Sequence, residues 1–257
     1  MSHHELRGFL RIAVSRLSGL SLSIAVALAA LASAAAFPSR TPAATGRIQG
    51  TVLLSPALSV RKPPIRLYGD YGPGSVPAPT RPATSEFANV VIYLDSVPST
   101  DDTAGAGSKR LAIEQHEETF VPHVLPVLLG STVEFPNQDP VFHNVFSLSK
   151  SRSFDLGRYP KGASKSVHFD RLGTVQVFCH IHSDMSAVVL VLGNPFFTIP
   201  APPGRYAIEG VPAGEYRLVA WHERIKPIVR RVRVQAGETT IQDLDVPLPA
   251  AVEAPGR

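Results

Sequence analysis

The sequence predicts an all-β chain made of short strands. The 257 residues include 24 prolines and 19 glycines, a composition that favours many turns. From Leu111 onward, short apolar or alternating stretches recur, separated from one another by Gly, Pro, Asn or Asp. Strands at such spacing are typical of a β-sandwich or barrel.

The first 36 residues have the features of an export signal. A positive segment with Arg7, Arg11 and Arg16 precedes an apolar core at 17–31 and a run of small residues at 32–36. We expect residues 1–36 to be a cleaved signal peptide and the protein to be periplasmic or secreted. The apolar run is also about long enough to span a bilayer, so an N-terminal membrane anchor is the alternative.

The charge of the chain argues against two classes of partner. Three arginines and one glutamate fall within the first 36 residues, so the formal charge of +4 drops to +2 for the rest. This is too small to indicate nucleic acid or a membrane surface as a partner. We expect membrane contact only through the leader, if it stays attached.

The elements after the leader follow from periodicity and turn residues. Residues 37–45 are a Pro/Ala/Thr linker, 55–87 and 98–109 are polar loops, and 249–257 form a tail. Apolar alternation predicts strands at 46–54, 89–94, 111–115, 125–129, 131–135, 143–148, 165–169, 174–179, 186–192, 196–199, 206–208, 216–221, 228–234 and 239–246.

One heptapeptide carries most of the chemistry. The segment 179–185, Cys-His-Ile-His-Ser-Asp-Met, holds the only cysteine of the chain and its only methionine beyond the initiator. A thiolate, an imidazole and a thioether are donors of copper sites with two His, one Cys and a long axial Met. His143 is available upstream as the second imidazole. An unpaired cysteine in an exported protein needs burial or a metal, and metal is the better explanation here.

The predicted strands suggest how these donors meet. Cys179 ends one strand and Met185 opens the next, so the ligand run is a tight loop between adjacent strands. We expect His143 to come from the opposite sheet of the sandwich. A sandwich that fixes all donors rigidly would change little between Cu(I) and Cu(II), as fast one-electron transfer requires.

These residues resemble the cupredoxins, the small blue copper proteins. Val133-Glu134-Phe135-Pro136-Asn137 followed by Phe142-His143-Asn144-Val145 is similar to the segment of plastocyanin and amicyanin that delivers the first histidine, and Cys-x-x-His-x-x-Met matches the amicyanin type of ligand loop. The resemblance places a Greek-key cupredoxin sandwich at 110–192. It implies one type 1 copper ion with the equatorial ligands His143, Cys179 and His182, the axial ligand Met185, and a bond from the Asn144 backbone N–H to the cysteine sulfur.

His180 departs from that pattern, and the loop lacks the proline common in amicyanin-like loops. Next to a strand end, His180 should point opposite to Cys179. We favour an exposed or sheet-facing histidine, with an alternative ligand or an electron-exit residue as the other readings. A Cys-His pair also occurs in multicopper oxidases, but Phe178 replaces the first histidine of their His-Cys-His triplet, so a trinuclear cluster cannot be built from this chain alone.

The remaining β region resembles a second family. The stretch 204–218 is similar to the second half of carboxypeptidase-regulatory-like (transthyretin-like) sandwiches, and 46–54 with 89–94 resembles their first half. We therefore hypothesise that 46–97 and 194–248 form one small, possibly discontinuous sandwich with the copper domain inserted between its halves.

The combined pattern predicts an electron carrier rather than an enzyme. Its partners would be redox proteins of the cytochrome or dehydrogenase type, with electrons passing the exposed edge of His182. Copper storage or delivery, a copper enzyme with a second metal at a subunit interface, and a scaffold role are the alternatives.

We expect single histidines elsewhere to be surface or hydrogen-bonded residues, 154–157 to form a turn, and Asp139 to set the approach to His143. We read the basic stretch at 150–171 as a solvated loop face, with a docking patch for an acidic redox partner as the alternative.

Overall fold

The computed structural model describes residues 44–55, 85–97 and 111–247. The predicted leader, nearly all of the linker, most of the two polar loops and the tail lie outside these ranges. Among the described residues, no helix is long and apolar enough to cross a membrane.

The described chain contains strands and one short 3-10 helix, Glu86–Asn89, and no α-helix. This confirms the predicted all-β fold class. The strands are β1 Thr45–Leu54, β2 Val91–Leu94, β3 Glu114–His116, β4 Thr119–Val121, β5 Val124–Leu128, β6 Thr132–Pro136, β7 His143–Ser149, β8 Arg152–Tyr159, β9 Ser164–His168, β10 Gly173–Phe178, β11 Ser186–Leu192, β12 Phe197–Thr198, β13 Arg205–Pro212, β14 Gly214–Trp221, β15 Ile228–Val234, β16 Thr239–Ile241 and β17 Leu244–Val246.

The first and last strands build one sandwich, which we call the flanking sandwich. One of its sheets has the order β13-β1-β16 with β17 also on β1, and the other has the order β12-β2-β14-β15. Gly50 is needed in β1 because a Cβ there would lie 2.0 Å from the Gln242 carbonyl oxygen. Ile48, Ile92 and Leu218 are among the residues that fill the core between the sheets.

The middle strands build a second sandwich, which we call the ligand sandwich. Its main sheet has the order β5-β11-β10-β7-β8, with β5 and β11 parallel and the other pairs antiparallel. The pairs β6-β9 and β3-β4 cover its core, which contains Phe120, Phe135 and Phe169. Strands β3 to β11 pair only with one another in the described chain, whereas β1 and β2 pair only with β12 to β17.

Strand β11 joins the two sandwiches because both of its faces are buried. Ala187, Val189 and Val191 face the core of the ligand sandwich. The alternate residues pack in a separate apolar cluster with side chains from β2, β5 and β14: Val188, Leu190, Leu192, Val91, Val124 and Trp221. Burial on two faces explains the unbroken apolar sequence of β11.

Two expectations about elements were wrong. Residues 154–157 do not form a turn but lie in β8, and the basic stretch at 150–171 is not a loop but contains β8 and β9, of which only β9 was predicted, as the strand at 165–169. Strand β8 alternates partly buried with exposed residues and lies at the edge of its sheet, so polar side chains occupy its solvent face and hide the strand signal. The short strand β4 was also missed.

Candidate metal centre

The ligand loop is closed by the strands at its two ends. Phe178 and Ser186 are paired across β10 and β11, so residues 179–185 form the connection between neighbouring strands. Inside the loop, the Cys179 N–H donates to the Met185 carbonyl at 3.2 Å and the Met185 N–H donates to the His182 carbonyl at 3.1 Å. The loop backbone is therefore fixed by its own hydrogen bonds.

His143 reaches the loop from the same sheet, and the expectation of the opposite sheet was wrong. Strands β7 and β10 are antiparallel neighbours, with Phe146 opposite Phe178. The start of β7 therefore lies beside the end of β10. This places His143, three residues before Phe146, next to Cys179.

Three donor atoms converge at this point. The Sγ of Cys179 lies 4.0 Å from the Nδ1 of His143 and 3.9 Å from the Nδ1 of His182, and the two nitrogens are 3.1 Å apart. These three residues are the only group of three or more His, Cys, Asp or Glu side chains in the described residues with ligand atoms close enough to share a metal ion.

The separations fit a single shared metal ion. Bonds of about 2.0–2.1 Å to nitrogen and about 2.3 Å to sulfur reach across all three of them. Two imidazole nitrogens and one thiolate sulfur are the strong donors of copper sites that have a weak fourth ligand, whereas structural zinc takes four strong protein ligands.

Asp139 fixes which nitrogen of His143 is free. Its Oδ2 accepts a hydrogen bond from the His143 Nε2–H at 2.8 Å, so the lone pair of this histidine is on Nδ1, the atom that faces sulfur. Asp139 in turn accepts from the backbone N–H groups of Glu117 at 2.7 Å and Glu118 at 2.9 Å. Sequence reasoning linked Asp139 only to the approach of His143, although its spacing four residues before the histidine was visible.

The same contacts set the ionisation of Asp139. Burial acts to raise its pKa, but the hydrogen bonds from the Glu118 backbone, the His143 ring and the Glu117 backbone outweigh it, and the net pKa is lowered. The group therefore stays a carboxylate and accepts all three bonds. Glu117 and Glu118 both have positive φ, at 51° and 53°, which lets the β3–β4 turn aim two N–H groups at one side chain.

The centre is buried on one side and accessible at one ring edge. His143 and Met185 are fully buried and Cys179 is nearly so. Met185 packs in the same core cluster as Cys179, directly before β11. The His182 side chain keeps 24% of its surface exposed, and its Nε2 lies 3.9 Å from Oε2 of Glu118.

Asn144 is buried beside His143, but its contacts differ from those expected. Among the described hydrogen bonds, none joins its backbone N–H to the Cys179 sulfur. Instead, its side-chain Nδ2 donates to Oδ1 of Asp155 at 2.7 Å, and that oxygen also accepts from the Gly157 N–H at 2.8 Å. Its own Oδ1 is buried without a hydrogen-bond partner. The side chain therefore ties β7 to the irregular register of β8 next to the site.

His180 lies outside the cluster of donor atoms. Its ring stacks on Phe146 with centroids 3.7 Å apart and an interplanar angle of 2°, and its Nε2 is 4.0 Å from Oδ2 of Asp155. The side chain is more than half exposed. The structure thus places His180 on the opposite side of the strand end from Cys179.

Two of the scattered histidines are held in pairs with glutamates. His222 is fully buried, with Nε2 at 2.8 Å from Oε1 of Glu86, and His123 has Nε2 at 2.8 Å from Oε1 of Glu223. The expectation that they are hydrogen-bonded histidines agrees with these contacts. Nothing in the sequence near His123 indicates its partner, which is 100 residues away.

Comparisons with solved structures find similar cupredoxin-type chains for part of this chain. A copper-containing nitrite reductase from Thermus scotoductus SA-01 is 22% identical over 37% of this chain and 27% of that chain, with a TM-score of 0.31. A purple cupredoxin from Nitrosopumilus maritimus is 22% identical over 32% of this chain and 98% of its own, with a TM-score of 0.29. A mutant of amicyanin in its reduced Cu(I) form is 21% identical over 40% of this chain and 98% of its own, with a TM-score of 0.31.

This chain thus spans about a quarter of the length of the nitrite reductase. No protein-family model matches the sequence, and no curated protein matches it. Likenesses of this size carry no inference about function, which rests instead on the geometry of the three donors.

Proposed function

We propose that this protein is an exported type 1 copper protein that carries single electrons between redox partners. The observation that carries the proposal is the convergence of the Cys179 sulfur with the Nδ1 atoms of His143 and His182 to within 4.0 Å of one another. Met185, a buried thioether residue at the end of the same loop, is the proposed axial ligand.

The donor set favours copper over the other common metals. A thiolate and a thioether are soft ligands, which suit copper, and imidazole suits copper and zinc. Oxygen-preferring ions such as calcium or magnesium would need carboxylates or carbonyls. Asp139 accepts three hydrogen bonds, one of them from Nε2 of His143, and does not belong to the group of converging donors.

Copper at this point would supply a one-electron couple between its +1 and +2 states. The chain's part is to keep the donors in place in both states. The loop hydrogen bonds hold Cys179 and Met185, and Asp139 holds the His143 ring. Burial of His143, Cys179 and Met185 shields this side of the site from water.

The partly exposed edge of His182 is the proposed point of electron entry and exit. Exposed apolar side chains adjoin the two histidine ligands in sequence, with Phe142 at 57% and Ile181 at 40% of their surface exposed. We propose transient contact there with a redox protein of the cytochrome or dehydrogenase type. Export by the N-terminal segment would place this exchange in the periplasm or outside the cell.

The test is an optical and electron-spin spectrum of the full mature chain loaded with Cu(II). We expect one copper per chain and an intense thiolate-to-copper absorption in the visible range, which Cys179→Ser abolishes. His168→Ala, a change at a histidine outside the group of donors, serves as the matched control and keeps the absorption. A colourless protein with stoichiometric Cu(II) would exclude the proposal, and two coppers per chain would favour an enzyme.

A further inference from the structure

His123 connects the ligand loop to the flanking sandwich. It lies directly before β5 in the ligand sandwich, and its Nε2 reaches Oε1 of Glu223, which follows β14 in the flanking sandwich, at 2.8 Å. Its Nδ1 lies 2.9 Å from the carbonyl oxygen of Ser186. Ser186 is the residue directly after Met185, the proposed axial ligand.

The backbone of His123 holds the same strand at a second point. Its carbonyl accepts the Val188 N–H at 2.7 Å. His123 therefore contacts β11 twice, through its ring at Ser186 and through its backbone at Val188. Both contacts lie at the start of β11, which directly follows the ligand loop. Met185 and the odd-numbered residues of β11 pack in the ligand core, whereas the even-numbered ones pack with the flanking sandwich.

Both partners of the His123 ring are hydrogen-bond acceptors. A carbonyl oxygen can only accept, and so can an ionised carboxylate. The hydrogen bond with His123 lowers the pKa of Glu223 and outweighs the burial that would raise it. The ring thus lies between two acceptors, one on each sandwich.

We propose that His123 is a positioning residue for the metal centre, which fixes the Met185 end of the ligand loop against the flanking sandwich through Ser186 and Glu223. The assignment of Met185 as a ligand rests on the proposed function, whereas the mechanical tie does not. The flanking sandwich thereby helps to hold the ligand loop in position without contributing a donor from its described residues.

The first test uses the full chain without metal and measures amide hydrogen exchange. We expect His123→Ala to speed exchange of the Met185 N–H about tenfold or more, because the side-chain hydrogen bond to the Ser186 carbonyl is lost. This acceleration should exceed any change at core amides of β14. The control is His168→Ala, a histidine of the ligand sandwich whose ring bonds to Thr132 of β6 rather than to β11 or Glu223. No acceleration in His123→Ala, or equal acceleration in both variants, overturns the proposal.

The second test measures the visible absorption spectrum of the copper-loaded protein. We expect His123→Ala to change the relative intensities of the thiolate absorption bands, which report the axial ligand geometry. His123→Asn, which retains a side-chain N–H donor for the Ser186 carbonyl but is too short to reach Glu223, should restore part of the change. A spectrum of His123→Ala identical to that of the unchanged protein overturns the proposal.

A third variant keeps the tests decisive if His123→Ala does not fold. Glu223→Ala keeps the His123 ring but removes its partner in the flanking sandwich. The exchange rate of the Met185 N–H and the thiolate band intensities should therefore change in the same direction as in His123→Ala, but by less. If neither changes, the result counts against the proposal. If the unchanged protein shows no thiolate absorption with copper, the proposed function fails, while the exchange experiment still decides whether His123 holds the loop.

Discussion

The carboxylate of Asp139 accepts the Nε2–H of His143 at 2.8 Å, and this bond leaves Nδ1 of His143 as the atom that faces Cys179. The carboxylate is itself held by two backbone N–H groups of the β3–β4 turn. A turn at the rim of the ligand sandwich thus determines the tautomer of a proposed ligand deep inside it.

Asp139→Ala should weaken copper binding about 10- to 100-fold, because the imidazole loses the partner that orients it. Competition titration against a chelator of known affinity measures the change. Asp155→Ala is the matched control, since that carboxylate orients Asn144 and touches neither ring nitrogen of His143. Equal losses of affinity in the two variants would contradict the role of Asp139.

Met185→Leu should raise the reduction potential of the copper-loaded protein. The substitution removes a sulfur donor that favours the more highly charged Cu(II), while it conserves side-chain volume. The free energy of unfolding should therefore change by less than about 1.5 kcal/mol. Spectroelectrochemical titration measures the potential, and an unaltered potential would show that the thioether is not a ligand.

His180→Ala should leave the visible copper spectrum in place, because the His180 ring stacks on Phe146 outside the donor cluster. His182→Ala, two residues away, should abolish the spectrum by removing a donor nitrogen. Absorption spectra of both variants at equal copper loading decide the point. Loss of the band in His180→Ala would mean that this residue is a ligand after all.

Trp221→Ala should destabilise the whole described chain. Its side chain is nearly buried in the apolar cluster between the sandwiches, and removal of such a residue costs about 3–5 kcal/mol. Denaturant unfolding measures the loss. Leu148→Ala is the control, because Leu148 is 80% exposed and should change stability by less than about 0.5 kcal/mol. A similarly small effect for Trp221→Ala would contradict tight packing between the sandwiches.

Stability should fall in acid as the glutamates of the two His–Glu pairs are protonated. The hydrogen bond with His222 lowers the pKa of Glu86, and that with His123 lowers the pKa of Glu223; burial opposes both shifts. Since the folded pKa of each lies below the ordinary value of 4.5, the unfolded chain binds more protons below that pH. Their contribution is therefore complete above pH 4.5 and is lost as pH falls through the folded values.

The double variant E86Q/E223Q checks this dependence. Its free energy of unfolding in the metal-free state should decline less steeply below pH 4.5 than that of the unchanged chain. Denaturant melts at a series of pH values supply both curves. Parallel curves would show that the two pairs do not contribute to acid sensitivity.

The sequence predicted most strands but missed those that form because of their pairing with neighbouring strands rather than because of their own residue pattern. Strand β8 was taken for a loop because its exposed face carries polar residues, and only its pairing with β7 makes it a strand. The proposed ligands Cys179, His182 and Met185 could be found from the sequence because they lie within seven residues. The sequence did not show that His143 comes from the same sheet as Cys179, since residue periodicity predicts strands but not which strands are neighbours.

What the sequence alone determined was the all-β class and the chemistry of the donor set, because strand periodicity and the choice of thiolate, imidazole and thioether are properties of local residues. Only the tertiary structure decided that three donor atoms lie within 4.0 Å of one another, that Asp139 selects the free nitrogen of His143, and that His123 joins the ligand loop to Glu223. These relationships connect residues up to 100 positions apart. They depend on which strands are neighbours, and that is set by the packing of two sandwiches around β11.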